Sequence, residues 1–305
     1  MTSPFALEPY AANPIIQQPT ETGGSMLPAV LLVDDLLHMW FTQTTSWSTV
    51  PTAIYHATSI DGFEWVVDPA PALEADGSGF DAFSVAEGRV IQIDGVWIMY
   101  YNAREEPGPG PGPAIGRATA PSPDGPWKAG PSAVVRTGNA AAWDSGFVSP
   151  AAAIASEDGV QLFYSGGTDY ATFGPTATGL ARSVDTKAFT KESRPVIDHG
   201  TGWDGHYSWE AAVFPLGNGL AAFYTGDPKE LTGEAIGYAS SSDGVVWAKA
   251  TNNPLLEPRD QEWASLDVVA GSVVTLPDGR VLLYYSGTNG GLSFSIGVAE
   301  AVPVG

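Results

Sequence analysis

Five short segments end in the same run of apolar and aromatic residues: LLHMWFTQ (36–43), VWIMYYNA (96–103), VQLFYSGG (160–167), LAAFYTGD (220–227) and VLLYYSGT (281–288). They recur with a period of roughly sixty residues, and a fixed period is typical of repeat architectures. Their aromatic and aliphatic residues favour buried strands. Five copies predict five structural units.

Two further series of strands accompany these segments. One contains a turn followed by a returning strand that begins with an aromatic residue: AIYHATSIDGFEW (53–65), AIGRATAPSPDGPW (114–127), TGLARSVDTKAF (178–189) and AIGYASSSDGVVW (235–247). Asp-Gly predicts a tight hairpin in three copies, whereas the third copy has Asp185-Thr186 and is degenerate. An apolar strand also opens each unit, as in 148–159, 208–219 and 271–279, so each unit should contain four strands.

Four antiparallel strands repeated about an axis form a propeller blade. The sequence therefore predicts an all-β, five-bladed β-propeller of four-stranded antiparallel blades. The last unit ends after its third strand, whereas YAANPII (10–16) matches NNPLL (252–256). We expect the N-terminal segment to complete the last blade and close the ring within one domain, residues 1–305. A sandwich and a six-bladed ring with one degenerate copy are the alternatives.

Composition narrows the possible partners. The 305 residues include 34 acidic and 13 basic ones, for a formal net charge of −21 at pH 7. This field repels phosphate backbones and anionic lipids, so we expect neither nucleic acid nor a membrane as a partner, whereas a carbohydrate substrate is compatible with it. The absence of cysteine excludes disulfides and thiolate chemistry. No signal-peptide pattern is visible, so we expect a cytoplasmic protein unless a leader preceded it. The oligomeric state stays open.

The loops between the second and third strands are long, as in 102–113, 166–176 and 226–234, whereas the opposite ends carry short hairpins. Because strands alternate in direction, these long loops lie on the same face as the starts of the first strands. Long loops on a rigid scaffold are common binding sites, so we expect the functional site on this face.

Alignment of the first strands by their apolar tails puts five residues at one equivalent position: Leu27, Glu87, Pro150, Glu210 and Ala270. Two of them are carboxylates facing a narrow channel, where lost solvation and mutual repulsion should raise one pKa. One acid and one base are what glycoside hydrolysis requires. The alternative is that each Glu only solvates the channel or accepts backbone hydrogen bonds.

Other acidic residues precede the first strands. Asp267 lies near the start of the fifth one, and the pairs Phe80-Asp81, Trp143-Asp144 and Trp203-Asp204 form a repeated series. Because the series repeats, its Asp residues could simply tie together the crossover between blades. The crossover lies on the functional face, however, so Asp144 and Asp267 join Glu87 and Glu210 as candidate catalytic residues.

A sugar site normally combines aromatic platforms with polar groups, because the C–H face of a sugar stacks while its hydroxyls need partners. Residues of these types on functional-face segments are the candidate substrate-binding residues: Asp81, Phe83, Tyr170, Asp204, His206, Tyr207 and Trp209, with Trp47 and Phe173 as further platforms. His38 and His56 lie on interior strands and are expected to be structural. We expect no metal and no cofactor.

The repeat and the segment Trp209-Glu210-Ala211 resemble the five-bladed propeller clan of glycosidases, including glycoside hydrolase families 43 and 32 and the related mannoside phosphorylases. The resemblance implies a glycoside hydrolase with Glu210 as the general acid, acting on furanosides such as arabinofuranosides or fructofuranosides. Family 43 usually has an Asp before Pro where this protein has Leu27-Pro28 and Ser149-Pro150. The usual set of three carboxylates is therefore incomplete, which indicates a divergent member.

The sequence is also compatible with two other functions. A mannoside-type phosphorylase needs a cationic cradle for phosphate, for which the candidates are Arg104, Arg117, Arg182 and Lys229. A non-catalytic carbohydrate-binding propeller would tolerate the loss of Glu87 or Glu210 with little change in affinity.

Overall fold

The computed structural model describes residues 1–20, 23–45, 50–107, 112–170, 174–229, 233–258, 261–290 and 293–304. Twenty strands make up the regular structure of these residues, together with single 3₁₀ turns at Gly79–Asp81 and Glu262–Ala264. Within the described ranges, no helix has the length and apolar character needed to cross a membrane.

In chain order the strands are β1 (Phe5–Pro9), β2 (Gly24–Val33), β3 (Leu36–Thr44), β4 (Ala53–Ser59), β5 (Val66–Val67), β6 (Ser84–Ile93), β7 (Val96–Arg104), β8 (Ala114–Ala120), β9 (Lys128–Ala129), β10 (Phe147–Ser156), β11 (Gly159–Gly167), β12 (Thr176–Ser183), β13 (Thr190–Lys191), β14 (Tyr207–Leu216), β15 (Gly219–Asp227), β16 (Ala235–Ser241), β17 (Trp247–Lys249), β18 (Asp267–Thr275), β19 (Val281–Thr288) and β20 (Ser295–Pro303). The fourth strands β5, β9, β13 and β17 begin at or directly after the repeated aromatic positions, and they are only two or three residues long.

These strands pair as antiparallel sets, which we number in chain order. The first set is β2–β5, the second β6–β9, the third β10–β13 and the fourth β14–β17, while the fifth combines β18–β20 with β1. The third and fourth sets form one eight-stranded sheet because a single parallel pair joins Thr176 to Tyr207. The all-β fold of four-stranded antiparallel sheets is therefore confirmed, although two of the expected blades share a sheet.

The pair between the third and fourth sets has a local cause. The amide of Thr176, at the start of β12, donates a hydrogen bond to the carbonyl of His206, directly before β14. At another boundary the bond runs in the opposite sense, from the amide of Val268 on β18 to the carbonyl of Glu234 before β16. At both boundaries, the third strand of one set contacts the start of the first strand of the next set. Only the boundary between the third and fourth sets counts as a strand pair.

The N-terminal segment adds an outer strand to the fifth set, as expected, but the boundaries differ from the prediction. The strand is Phe5–Pro9, which pairs with β20, and not 10–16. The predicted segment instead forms one isolated bridge, from Ile16 to Ile296. Since Leu256 bridges Ile236 in the fourth set, the matched sequences occupy equivalent places beside the third strand.

The two asparagines of the matched sequences explain why these motifs recur. Asn13 donates from Nδ2 to the Tyr285 hydroxyl over 3.1 Å, and Asn253 donates to the Tyr224 hydroxyl over 3.3 Å. Each amide oxygen also accepts a backbone N–H of the adjacent third strand. The motif therefore satisfies polar groups at the edge of a short outer strand.

The degenerate third copy of the hairpin keeps its turn without glycine. Thr186 has a φ of 66°, in the left-handed region that Gly62 occupies with a φ of 84° in the first copy. The Asp185 carboxylate accepts hydrogen bonds from the amides of Lys187 and Ala188, as the Asp61 carboxylate does from the two residues after Gly62. The Asp side chain thus preserves the turn although Thr is a poor residue for that φ.

Apolar side chains fill the spaces between consecutive sets. Separate clusters lie between the first and second sets, the second and third, the third and fourth, the fourth and fifth, and the fifth and first. In the last of these, Met39 and Phe41 of β3 pack with Tyr284 of β19, and all three are fully buried. Because both faces of each set are covered, the second strands are buried along most of their length and show no regular alternation of apolar and polar residues.

Candidate active site

All five first strands are bulged at the positions that the sequence alignment made equivalent. At three of them the residue has a left-handed backbone: φ is 54° at Leu27, 55° at Glu87 and 44° at Glu210. A non-glycine residue rarely adopts this conformation, and bulges of this kind re-aim side chains near functional sites. The backbone itself therefore turns Glu87 and Glu210 away from the regular strand direction.

Hydrogen bonds from a neighbouring set hold these bulges. The backbone amide at this position donates to a Ser or Thr hydroxyl: Leu27 to Ser286, Glu87 to Thr42, Glu210 to Ser165 and Ala270 to Thr225, over 2.7–3.0 Å. Pro150 has no N–H to donate. On β7, next to the third set, Asn102 accordingly replaces the hydroxyl residue and bonds Ser149 at 2.7 Å.

Arg89 joins four of the five sets. Its side chain starts on β6 of the second set and is only 3% exposed. It donates to the carbonyls of Leu27 and Pro28 in the first set and of Pro150 in the third. In the fourth set, Nη2 lies 3.0 Å from Glu210 Oε2. Sequence reasoning missed Arg89, although a charged residue within a strand expected to be buried is a usable signal.

Glu210 is 1% exposed, and both of its carboxylate oxygens have partners. Arg89 binds Oε2, and the Ser165 hydroxyl donates to Oε1 over 2.8 Å. The pKa of Glu210 is raised by burial, and the Arg89 charge and these two hydrogen bonds offset only part of that rise. The contacts therefore stabilise the carboxylate form against the effect of burial.

Glu87 has the opposite surroundings. Among the described residues no group hydrogen bonds its Oε2 atom, which is buried. Burial raises the pKa of Glu87 well above its usual value, and the nearby Glu210 charge raises it further, against the opposing effect of Arg89. Of the two groups, Glu87 therefore has the stronger tendency to hold a proton, and Glu210 the stronger tendency to be ionised. Two neighbouring carboxyl groups with separated pKa values can act as an acid and a base.

A second group of carboxylates lies beside Trp209. The indole Nε1 donates to Glu234 Oε1 over 2.9 Å, and the Glu234 amide donates to Asp267 Oδ1 over 3.1 Å. Burial raises the pKa of Glu234 well above its usual value, and Asp267 and Asp227 add to this. Sequence reasoning found Asp267 but missed Glu234, because that residue ends a long loop with no repeated motif.

Aromatic residues lie beside Arg104 and along the strand of Glu210. The Arg104 guanidinium lies 5.4 Å from the ring centres of Phe83 and of Tyr170. Burial raises the pKa of Tyr170, and the Glu87 charge contributes to the same shift, so Tyr170 lies near Glu87.

On the strand of Glu210, the rings of Tyr207 and Trp209 are 5.7 Å apart, and those of His206 and Tyr207 are 4.6 Å apart. The structure thus places Phe83 and Tyr170 beside Arg104, and it places His206, Tyr207 and Trp209 in contact along the strand of Glu210. Their role in substrate binding stays a prediction. The other two predicted platforms, Trp47 and Phe173, lie outside the described residues.

The repeated Asp series occupies the crossovers between sets. A Tyr hydroxyl donates to each Asp, over 2.6 Å from Tyr101 to Asp81 and over 3.0 Å from Tyr164 to Asp144 and from Tyr224 to Asp204. Lys191 also binds Asp144, and Lys249 binds Asp204. These partners support the structural alternative for the series. A catalytic role for Asp144 and substrate-binding roles for Asp81 and Asp204 stay predictions.

Solved structures resemble this protein over nearly its whole length. A solved BT0996 RGII complex matches with a TM-score of 0.83 and 17% identity, over 98% of this sequence and 93% of that one. A thermostable family-43 glycoside hydrolase matches with a TM-score of 0.73 and 19% identity, over 93% and 91%. The β-1,2-mannobiose phosphorylase from Listeria innocua matches with a TM-score of 0.72 and 15% identity, over 96% of each protein.

No protein-family model and no curated protein matches the sequence. At identities below 20% the structural likeness shows a shared fold. The protein thus has the fold of glycoside hydrolases and of a mannobiose phosphorylase, consistent with a divergent member of the propeller clan that its repeat resembles.

Proposed function

We propose that the five sets form one closed five-bladed propeller, residues 1–305, and that the protein is a glycosidase with its site at the centre of the ring. Closure is supported by the contact between β18 and β2 and by the apolar cluster between the fifth and first sets. Further support comes from Arg89, whose guanidinium touches three other sets at once.

The observation that carries the activity is the pair Glu87 and Glu210 beside Arg89. Glu87 has a raised pKa and a buried oxygen for which the described residues offer no partner, so it is suited to donate a proton to the leaving oxygen of a glycoside. The hydrogen bonds from Arg89 and Ser165 stabilise the carboxylate form of Glu210, so it is the better suited of the two to activate water or to attack the sugar. Removing either carboxyl group should slow the reaction strongly.

This assignment reverses the one that the family resemblance implies. The resemblance makes Glu210 the general acid, but the hydrogen bonds from Arg89 and Ser165 stabilise a carboxylate and not a carboxylic acid. The two assignments differ in a measurable way. Loss of the acid matters less for a substrate whose leaving group needs no proton, whereas loss of the ionised partner affects every substrate.

Substrate binding is assigned to the aromatic groups near the two carboxyl groups: Phe83, Tyr170, His206, Tyr207 and Trp209. Furanosides are the favoured substrates, by analogy with family 43, one member of which shares this fold. A carbohydrate ligand is also supported by the similarity to a complex with RGII. Asp267 is kept as a further candidate catalytic residue because it lies within the carboxylate group beside Trp209.

The test is hydrolysis of a panel of nitrophenyl furanosides and pyranosides by the wild type, Glu87→Gln, Glu210→Gln and the exposed control Glu64→Gln. We expect at least a hundredfold loss of kcat/KM in both site variants and none in the control, because acid–base groups contribute about 10²- to 10⁴-fold. Glu87→Gln should recover most activity on dinitrophenyl glycosides, whose leaving groups need little protonation. Recovery in Glu210→Gln instead would restore the assignment that the resemblance implies.

Activity that survives intact in both Gln variants would exclude this site. If the wild type binds sugars but turns over none of the panel, a non-catalytic carbohydrate-binding propeller becomes the better description.

A phosphorylase is the second candidate, because the Arg104 side chain lies beside two aromatic rings near Glu87 and a solved phosphorylase shares the fold. The other predicted cations support it less. Arg182, for example, pairs with the partly exposed Glu192 on the outer strands of the third set. Turnover that depends on added phosphate and that Arg104→Gln abolishes would identify a phosphorylase.

A further inference from the structure

Two buried histidines face each other across neighbouring strands of the first set. His38 lies on β3 and is 4% exposed, and His56 lies on β4 and is 2% exposed. His38 Nδ1 and His56 Nε2 are 3.0 Å apart. The sequence contains only four histidines, so this pair uses half of them.

A carboxylate from the second set completes the group. Asp124 lies in the turn between β8 and β9, with Oδ1 at 3.6 Å from His38 Nδ1 and 4.0 Å from His56 Nε2. Its side chain is exposed, whereas the imidazoles are buried. Three potential ligand atoms from two sets therefore surround one point at the protein surface.

The spacing of these three atoms suits a tetrahedral ion. With bonds of about 2.0–2.1 Å, two ligands of a tetrahedral Zn²⁺ lie about 3.3 Å apart. The observed separations of 3.0, 3.6 and 4.0 Å lie around this value.

The surroundings also orient the histidines as metal ligands. His56 Nδ1 lies 2.8 Å from Asp68 Oδ2. With the proton on this nitrogen, the lone pair of Nε2 faces His38 Nδ1 and Asp124 Oδ1. A carboxylate behind a ligating imidazole is the usual arrangement around protein-bound zinc. The Trp40 ring lies beside both imidazoles. Its centroid is 6.0 Å from that of His38, with the rings stacked, and 5.4 Å from that of His56, with the rings tilted.

We propose that His38, His56 and Asp124 bind a divalent transition-metal ion, with Zn²⁺ as the best fit to two imidazoles and one carboxylate. The ion links the first set to the second on the face that carries the short hairpins, opposite Glu87 and Glu210. It therefore stabilises the contact between two sets and takes no part in sugar chemistry. This proposal differs from the sequence-based expectation that the two histidines are only structural and that no metal binds.

The test is a calorimetric titration of chelator-treated full-length protein with Zn²⁺, alongside Asp124→Asn and His199→Gln. Asp124 is exposed, so its substitution should leave the fold intact, and His199 is a half-exposed histidine outside the group. We expect one Zn²⁺ per protein molecule, at least tenfold weaker binding in Asp124→Asn and unchanged binding in His199→Gln. Zn²⁺ should also raise the Tm of the wild type by several degrees, because it binds only the folded protein.

Further probes address the ligands and the type of ion. His56→Gln should abolish saturable Zn²⁺ binding, and Co²⁺ should give the visible absorption of a tetrahedral site in the wild type and in His199→Gln, but not in His56→Gln. Mg²⁺ and Ca²⁺, which prefer oxygen ligands, should not compete. The proposal is overturned if the wild type shows no saturable Zn²⁺ binding, or if neither Asp124→Asn nor His56→Gln weakens it.

Discussion

The molecule buries carboxylates in two regions, the crossovers between sets and the surroundings of Arg89, and their partners differ. In the crossovers, Asp144 and Asp204 each bind a Tyr and a Lys from their own set. Around Arg89, Glu210 depends on Arg89 and Ser165 from two other sets, and one oxygen of Glu87 has no partner among the described residues. A carboxylate that has the same partners in each set stabilises the fold. A carboxylate whose partners come from other sets can instead have a catalytic role.

The largest effect on stability should come from Arg89→Met. This change leaves Glu210 buried without its counter-charge and removes hydrogen bonds to two further sets, so we expect a loss of about 3–5 kcal/mol in the free energy of unfolding. Urea unfolding monitored by tryptophan fluorescence measures it. The double variant Arg89→Met/Glu210→Gln should recover part of the loss, since no unpaired charge remains. Equal stability of the single and double variants would contradict the ion-pair account.

A smaller effect is expected in the crossovers. Asp204→Asn weakens the hydrogen bonds from Tyr224 and Lys249, which should cost about 1–3 kcal/mol. The activity per folded molecule should stay within about twofold of the wild type, because this region lies outside the catalytic pair. Asp144→Asn is the matched variant for the third set. A hundredfold loss of kcat in Asp144→Asn, with the fold intact, would instead establish the catalytic role predicted from the sequence.

The smallest effect, counted per pH unit, is the dependence of stability on pH. Because the pKa of Glu87 is raised on folding, the folded protein binds a proton that the unfolded protein releases above its usual pKa of about 4.5. The free energy of unfolding should therefore fall as pH rises through this region, by at most about 1.4 kcal/mol per pH unit for this group. Glu234 adds to the same trend. Glu87→Gln should flatten the dependence between pH 5 and 8, whereas a curve identical to that of the wild type would contradict the buried, protonated state.

Much of the fold was predictable because a repeat presents the same local solution several times. Three motifs recur along the sequence: the apolar second strands, the Asp-centred hairpins and the Asn-Pro segments. The hairpins and the Asn-Pro segments recur because each copy forms the same hydrogen bonds. Boundaries were less predictable where one copy departs from the rest. The outer strand of the fifth set is Phe5–Pro9, several residues before the matched motif, because short edge strands have little sequence signal of their own.

The candidate site divides in the same way. The equivalence of Glu87 and Glu210 came from sequence alignment, and the bulges at both positions agree with it. Arg89 and Glu234 were missed because neither belongs to a repeated motif. The proximity of His38, His56 and Asp124 was not predicted either, because the three residues lie on two different strands and a turn.

The sequence by itself determined the class of the fold, its repeat and the face on which acidic residues gather, because periodic burial and turn chemistry are local properties of the polypeptide. Only the tertiary structure decided which acidic residues have partners. Those partners come from strands far apart in sequence, as in the contact of Arg89 with Glu210, and no local pattern records which set a side chain will meet. The protonation states proposed for Glu87 and Glu210 follow from that long-range arrangement.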